Sequence, residues 1–281
     1  NSISYLNAVP TFVDVDIDTM GMSPSALELF LSENTVFKKG ILFNKNSNRK
    51  ISACLPMHTY GYPCRIKEIK KICKEWKIPL LEDCAESLGS FISKKHSGQF
   101  GEAGTLSFNG NKLITTGGGG MIITDNKKLA NAAKHLTTTA KIPHRYEFIH
   151  NEIGYNYRLP NLNAALGCAQ IEKIEFFLSQ KRILNNKWKE VLEDFNLDFL
   201  ESLDNSQSNN WLNTIILDSR RERDEFLKLT NKKGVMTRPV WELMSNLPMY
   251  KKCPKGSLLN SKLLRDRAVN LPSSVPVKIL S

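Results

Sequence analysis

One lysine in this chain of 281 residues sits where its amine could be held for covalent chemistry. Lys112 ends the polar stretch Asn109-Gly110-Asn111-Lys112, between the apolar runs Thr105 to Phe108 and Met121 to Ile123. Four glycines, Gly117 to Gly120, follow it, so the backbone there can turn sharply or lie close to a ligand. An amine constrained in this way is a nucleophile for an aldehyde and forms an imine with it. Asp83, 29 residues earlier, closes the apolar run Pro79-Leu80-Leu81. An aspartate against a pyridine nitrogen keeps that ring protonated and electron-withdrawing. The pair therefore points to pyridoxal phosphate, an aldehyde carried on a pyridine ring. Each residue also has a plainer reading, Lys112 as a surface lysine in a glycine-rich hairpin and Asp83 as a helix N-cap. Neither plain reading accounts for the two together.

The elements that must position them follow from periodicity. Ile66, Ile69, Ile72, Cys73 and Trp76 fall at helical spacing, with Lys67, Glu68, Lys70, Lys71 and Lys74 between them. An apolar run, Ile51 to Leu55, precedes this helix, and the run ending at Asp83 follows it. Strand, helix and strand in this order predict a parallel pair with Asp83 at its carboxyl edge, where open α/β sheets bind ligands. Glu86 lies one helical turn beyond Asp83 and could face the same ligand, or be a first-turn glutamate favoured by a helix dipole. His58 follows the first strand at the same edge, as a pocket residue or as a hydrogen-bonded structural one. Ser107 ends the strand before the lysine.

Elsewhere, Pro10 to Val15 and Ile41 to Phe43 read as strands, and Ser23-Pro24 opens a helix with Ala26, Leu27, Phe30 and Leu31 inward. Gly120 to Thr124 reads as a strand, and Asp125 or Asn126 caps a helix to about His135. Thr137 to Tyr157 has little periodicity and reads as a functional or partner-contacting loop. Leu162 to Trp188 carries a long helical pattern that would bridge two domains. Asn213 to Leu217 then reads as a strand, Arg220 to Lys232 as a helix and Gly234 to Arg238 as a strand, with Asp204 to Asn210 as a loop.

Three segments in order carry a resemblance: Glu82-Asp83-Cys84-Ala85-Glu86-Ser87-Leu88-Gly89, then Ser107 to Gly120, then Gly154-Tyr155-Asn156-Tyr157-Arg158 continuing to Gly167. They resemble the sugar-nucleotide aminotransferases of the DegT/DnrJ/StrS family. The Asn-Gly-Asn before Lys112, the four glycines, His135 to Lys141 and Arg238-Pro239-Val240-Trp241 look closest to one branch. That branch aminates UDP-linked 4-keto-6-deoxy-N-acetylhexosamines on the way to bacillosamine or legionaminic acid. The resemblance implies an α/β fold of the pyridoxal phosphate transferase type I, similar to aspartate aminotransferase. Its mostly parallel, seven-stranded-type sheet is flanked by helices, with a large domain over 1–174 and a small C-terminal α/β domain over 175–281. It implies an enzyme that moves an amino group from an amino acid, glutamate, to a keto sugar nucleotide for surface polysaccharide or lipopolysaccharide synthesis. Lys112 and Asp83 become the catalytic pair, and Glu86, Ser107 and Asn156 further cofactor contacts. Arg158, His58 and Trp241 become substrate contacts. Asn156 and Arg158 would reach into the neighbouring subunit of a homodimer with shared sites. Family members also carry an upstream turn and helix that hold the cofactor phosphate. Nothing of that kind precedes Asn1, so the chain reads as N-terminally truncated, with a non-catalytic remnant as the competing interpretation.

Composition narrows the classes. The formal net charge is +11, but the lysines are scattered along helix faces without a nucleic-acid-binding signature, so no nucleic-acid partner is expected. No apolar run approaches a membrane span and no signal peptide is visible, which points to a cytoplasmic, non-membrane protein. The six cysteines form no C-x-x-C pair and read as reduced, mostly buried thiols. The five histidines lack metal-ligand spacing, so no metal is expected.

Overall fold

The computed structural model describes residues 1–195 and 197–275. Its first sheet is the expected parallel unit. Leu81–Asp83 runs parallel to Ala103–Ser107, with Asp83 opposite Thr105. Cys54 and Met57 bridge to Leu80 and Asp83, also parallel, and so extend the sheet on the other side. Gly120–Ile123 turns back antiparallel along Ala103–Ser107, placing Ser107 opposite Gly120. The helix Ile66–Glu75 covers this sheet with Ile66, Ile69 and Cys73 buried. Those residues join Leu27, Phe30 and Leu31 of the helix Pro24–Asn34 in one apolar core. Ser23 caps that second helix by accepting from the Ala26 N–H.

Successive strand residues face opposite sides of a sheet, so Asp83 and Glu82 point apart. Glu82 has no exposed surface. One of its carboxylate oxygens accepts from the N–H groups of Phe100 and Gly101 at 2.6 and 2.7 Å. The other accepts from Gly98 N–H at 2.8 Å and from His58 Nε2 at 3.1 Å. His58 Nδ1 accepts from the Cys64 N–H at 3.2 Å, so the imidazole carries its proton on Nε2. Burial alone would push the Glu82 carboxyl up, but the His58 bond and the Gly101 and Gly98 N–H groups outweigh it and hold the group below the usual glutamate value. Cys84 Sγ lies in the same cluster, within 4.8 Å of the His58 and Glu82 donor atoms. The carboxylate oxygens there are already taken up by four N–H donors.

His58 is therefore corrected from a pocket residue to a structural one: it is wholly buried and has no surface with which to meet a substrate. Its strand-end position is as expected, but its ring turns under the sheet edge toward Glu82.

A second sheet, antiparallel throughout, has the order Asp198–Phe199, Asn213–Ile216, Ala268–Leu271, Arg238–Pro239. Ile215 and Val269 at its centre are wholly buried, packed with Trp188, Leu192 and Phe226. The helices Arg220–Lys232 and Leu259–Arg267 pack against each other, and each contacts the central strand Ala268–Leu271.

Several local expectations change. Pro10 to Val15 forms no strand, only single bridges from Phe12 to Lys255 and from Val15 to Met22. Ile41–Asn44 is a strand, but its partner Thr35–Lys38 continues directly from the preceding helix. The helical pattern after Leu162 is two helices, Asn161–Ile171 and Ile174–Leu192. The aperiodic stretch after Thr137 contains a short hairpin, Lys141–Ile142 with Ile149–His150. Ser206–Gln207, expected as loop, pairs with Phe91–Ile92. The strand expected from Gly234 is only Arg238–Pro239, because Gly234 has positive φ and turns the chain. Cys168 is exposed, whereas Cys54, Cys64, Cys73 and Cys84 are buried free thiols. Among the described residues no helix is long and apolar enough to cross a membrane.

Replacing Glu82 tests its part in this architecture. Glu82→Gln turns an amide N–H₂ toward two of the four donors, so it lowers unfolding free energy by about 3 kcal/mol. A folded carboxyl held below its usual value stabilises above the unfolded pKa, and that contribution is lost as pH falls through the folded one. The gap between parent and variant in urea unfolding is thus full near neutrality and closes below about pH 4. A constant gap across that range would contradict the assignment.

Candidate active site

The lysine loop leaves the sheet at Ser107 and is closed at its base by the hairpin. Phe108 donates N–H to Gly119 O and accepts at its own carbonyl from Thr116 N–H, both at 3.0 Å. Lys112 donates its N–H to Asn109 O at 3.1 Å in a tight turn. Gly119 has φ +111°, and a Cβ on it would meet Leu159 Cδ1 at 2.7 Å, so only glycine serves there. The helix Asn161–Ile171 clamps the far side of the loop. Gln170 accepts from Thr115 N–H at 3.0 Å and donates to Thr115 O at 2.8 Å. Asn163 donates its amide N–H to Thr116 O. The helix Asn161–Ile171, which begins within the third motif, is thus the loop's anchor.

Held this way, Lys112 keeps only 14% of its side chain exposed. Its Nζ lies 3.9 Å from Glu86 Oε1 and 4.3 Å from the centre of the Trp211 ring. Glu86 is itself buried, and its second oxygen accepts from Tyr60 N–H at 2.7 Å. Burial pushes the Glu86 carboxyl above its usual range; the Tyr60 N–H and the Lys112 charge hold it back, while Asp83 adds to the rise. No helix follows Asp83, so neither the N-cap reading of Asp83 nor the first-turn reading of Glu86 holds. Asp83 instead accepts from Ala85 N–H at 3.0 Å within a turn and remains half-buried at the strand end.

An aromatic group walls the lysine. Trp211 donates Nε1–H to Asn111 O, the residue before Lys112, at 2.7 Å. Trp241, 59% exposed, stacks on Trp211 with centroids 6.5 Å apart and planes at 19°. Tyr60 lies 5.6 Å from Trp241 and 6.3 Å from Trp211. Tyr60 adopts φ +57°, an uncommon value for an aromatic residue, next to Gly61 at φ +90°. A Cβ at Gly61 would overlap Asn209 Oδ1 at 1.8 Å. Asn209 in turn donates to the carbonyls of Glu86 and Leu88, both at 2.8 Å.

The structure thus brings together Lys112, Glu86 and, through the aromatic wall, Trp241. Ser107 stays at the strand end, where its hydroxyl accepts from Asn109 N–H at 3.5 Å. Asn156 and Arg158 share a face as the strand alternation implied, and Arg158 donates twice to Asn156 Oδ1 at 3.1 and 3.0 Å. Both are exposed, and they bond to each other rather than to Lys112, Asp83 or Glu86 of this chain. Tyr60, Asn209 and Trp211 were not singled out in sequence. Tyr60 lies only two residues after His58, whereas Trp211 meets a residue 100 positions away and left no local signal.

Known proteins share this organisation. The family model of the DegT/DnrJ/EryC1/StrS aminotransferase family matches residues 1–278. GDP-perosamine synthase of Escherichia coli O157:H7 is 35% identical over 274 residues, 97% of this chain and 70% of that protein. EpsN of Bacillus subtilis (strain 168) is 34% identical over 251 residues, 89% of this chain and 62% of that protein. The chain therefore spans about two thirds of the length of these relatives. A DegT DnrJ EryC1 StrS aminotransferase from Brucella abortus superposes with TM-score 0.86 at 22% identity, over 96% of this chain and 70% of that one, which shows the shared fold. On the family match and these relatives, the chain belongs to the DegT/DnrJ/EryC1/StrS aminotransferase family, whose members work with pyridoxal phosphate.

Proposed function

We propose that this chain is an aminotransferase that moves an amino group from an amino acid, glutamate, to a 4-keto-6-deoxy sugar nucleotide. The observation that carries this reading is the setting of Lys112: an amine with little exposure, 3.9 Å from a buried glutamate and over an indole face, beside the strand that ends in Asp83. This donor set fits pyridoxal phosphate. The amine suits its aldehyde, the Asp83 carboxylate suits its pyridine nitrogen, and Glu86 suits a ring substituent. Ser107, and Asn156 from a neighbouring subunit, suit its phosphate. When bound, the cofactor would supply an aldehyde that can carry the amino group and a ring that withdraws electrons from the reacting carbon. Lys112 would hold the cofactor through its amine and, when free, would serve as the base for the proton at the donor carbon. Trp211 shields that amine from water, and Glu86 offsets its charge.

The motifs support a UDP-linked N-acetylhexosamine as acceptor. The perosamine synthases among the relatives favour a GDP-linked sugar as the second reading. Residues 1–174 would form the cofactor domain and 175–281 the small domain. A homodimer with shared sites is proposed from Asn156 and Arg158, and from the exposed apolar side chains around them, Ile153 at 90% and Leu162 at 86%. Arg158, with its planar fork, would contact the sugar nucleotide, and Trp241 would stack on it.

Borohydride reduction of the protein saturated with pyridoxal phosphate should leave the pyridoxyl group on Lys112 in peptide maps. Lys112→Ala should lose the label and at least roughly 10³-fold in amino transfer. A label elsewhere, or no coloured complex at all, would overturn the reading. UDP- and GDP-linked keto sugars assayed side by side separate the two acceptors. Mixing Lys112→Ala with Arg158→Ala chains should restore activity if sites are shared, and verified mixed dimers without it would contradict that.

Glu86 yields a pH test. Because its folded carboxyl is raised, its favourable contribution is present at low pH and is lost as pH rises through the raised value, where ionising it in place costs stability. Glu86→Gln should therefore gain urea resistance over the parent near pH 8 and lose that advantage near about pH 4, while amino transfer falls. An advantage independent of pH would refute the burial argument.

A further inference from the structure

The lysine loop is held directly by one helix and, through Trp211, by the next. Asn163 and Gln170 hold Thr115 and Thr116, as described above. The second grip comes from the helix Ile174–Leu192, which turns polar residues inward at positions Lys181, Asn185 and Trp188, one helical face. Asn185 donates to Asn213 Oδ1 at 2.8 Å, and Trp188 donates Nε1–H to Pro272 O at 2.9 Å. Lys181, 9% exposed, donates its Nζ to Trp211 O at 2.8 Å and to Ser273 O at 2.6 Å. Among the described residues it makes no ion pair; both recorded acceptors are neutral carbonyls.

A buried ammonium without a counter-charge is costly, and burial pulls Lys181 down to about 8. An apolar side chain of similar length would avoid that cost. What Lys181 offers instead is the two bonds, and one of them ends on the main chain of Trp211. That residue reaches the lysine loop twice, by Nε1–H to Asn111 O at 2.7 Å and by its ring face 4.3 Å from Lys112 Nζ.

We infer that Lys181 is a positioning residue for Lys112: by fixing the Trp211 main chain, it sets the indole face that covers the Lys112 amine. Its importance for catalysis rests on the function proposed above. The geometric claim does not, because it concerns the reactivity of Lys112 in the protein alone.

The test uses the full chain without added cofactor. Lys112 is labelled with formaldehyde and cyanoborohydride, and its rate is read by peptide mass spectrometry against the exposed Lys127. In Lys181→Met the Lys112 rate should rise about threefold, the size expected when a cation–π contact is lost, with Lys127 unchanged. The Trp211 indole ¹⁵N–¹H resonance, assigned with Trp211→Phe, should move in the same variant. Trp211→Phe should itself speed Lys112 labelling, and adding Lys181→Met to it should add little. Lys181→Gln serves in its place if the methionine variant does not fold. Unchanged Lys112 labelling in a folded Lys181 variant, an unmoved indole resonance, or additive effects in the double variant would each overturn the inference. Faster labelling together with a pyridoxyl group mapped to another lysine would uphold the positioning and reject the proposed function.

Discussion

The buried carboxylate of Glu82 is the constraint on which the site depends. A glutamate with no exposed surface survives only if its charge is met by donors, and here four N–H groups meet it. Three of them belong to the chain between Gly98 and Gly101, which leads into the strand before the lysine. The fourth is His58, at the end of the neighbouring strand. One side chain therefore ties together the chain on both sides of Leu81–Asp83. Because side chains alternate along a strand, anchoring Glu82 on one face directs Asp83 to the other. The catalytic role proposed for Asp83 is a consequence of where its neighbour is tied.

On the open side of that edge, a second buried acid does different work. Glu86 has fewer donors than Glu82, and the shifts of the two carboxyls run in opposite directions. The cause is the number of N–H groups aimed at each: Glu82 has enough to outweigh its desolvation, whereas Glu86 has one main-chain N–H and a lysine at 3.9 Å. An acid left partly uncompensated beside an amine is the arrangement expected where protons move rather than where a fold is fastened.

Residues from the second half of the chain complete the first half's site. Trp211, Asn209 and Lys181 come from the segment leading into the strand Asn213–Ile216 and from the long helix, yet they contact Asn111, Glu86 and one another's main chain. The glycine at 61 exists for the same junction, since any side chain there would overlap Asn209. Asn156 and Arg158 lie in the stretch from Tyr146 to Leu162, which exposes several large apolar side chains.

Much of this was legible in sequence because it is local. The helical spacing of Ile66, Ile69 and Cys73, the strand ending at Asp83 and the glycines after Lys112 each report a neighbour within one turn or one hairpin. Their order also carried the family resemblance, which the comparisons bear out. His58 and Trp211 mark the limit. Both are aromatic residues in plausible places, but whether a side chain meets a ligand or the protein depends on partners set by the fold. For His58 the partner is Glu82, 24 residues away, and for Trp211 it is Asn111, 100 residues away. Residue types and spacing determined which chemistry the chain can carry and the strand edge that carries it. Only the tertiary structure decided which polar groups are consumed in holding that edge and which are left facing the lysine, because hydrogen-bond satisfaction in a buried cluster is a property of the whole set of neighbours.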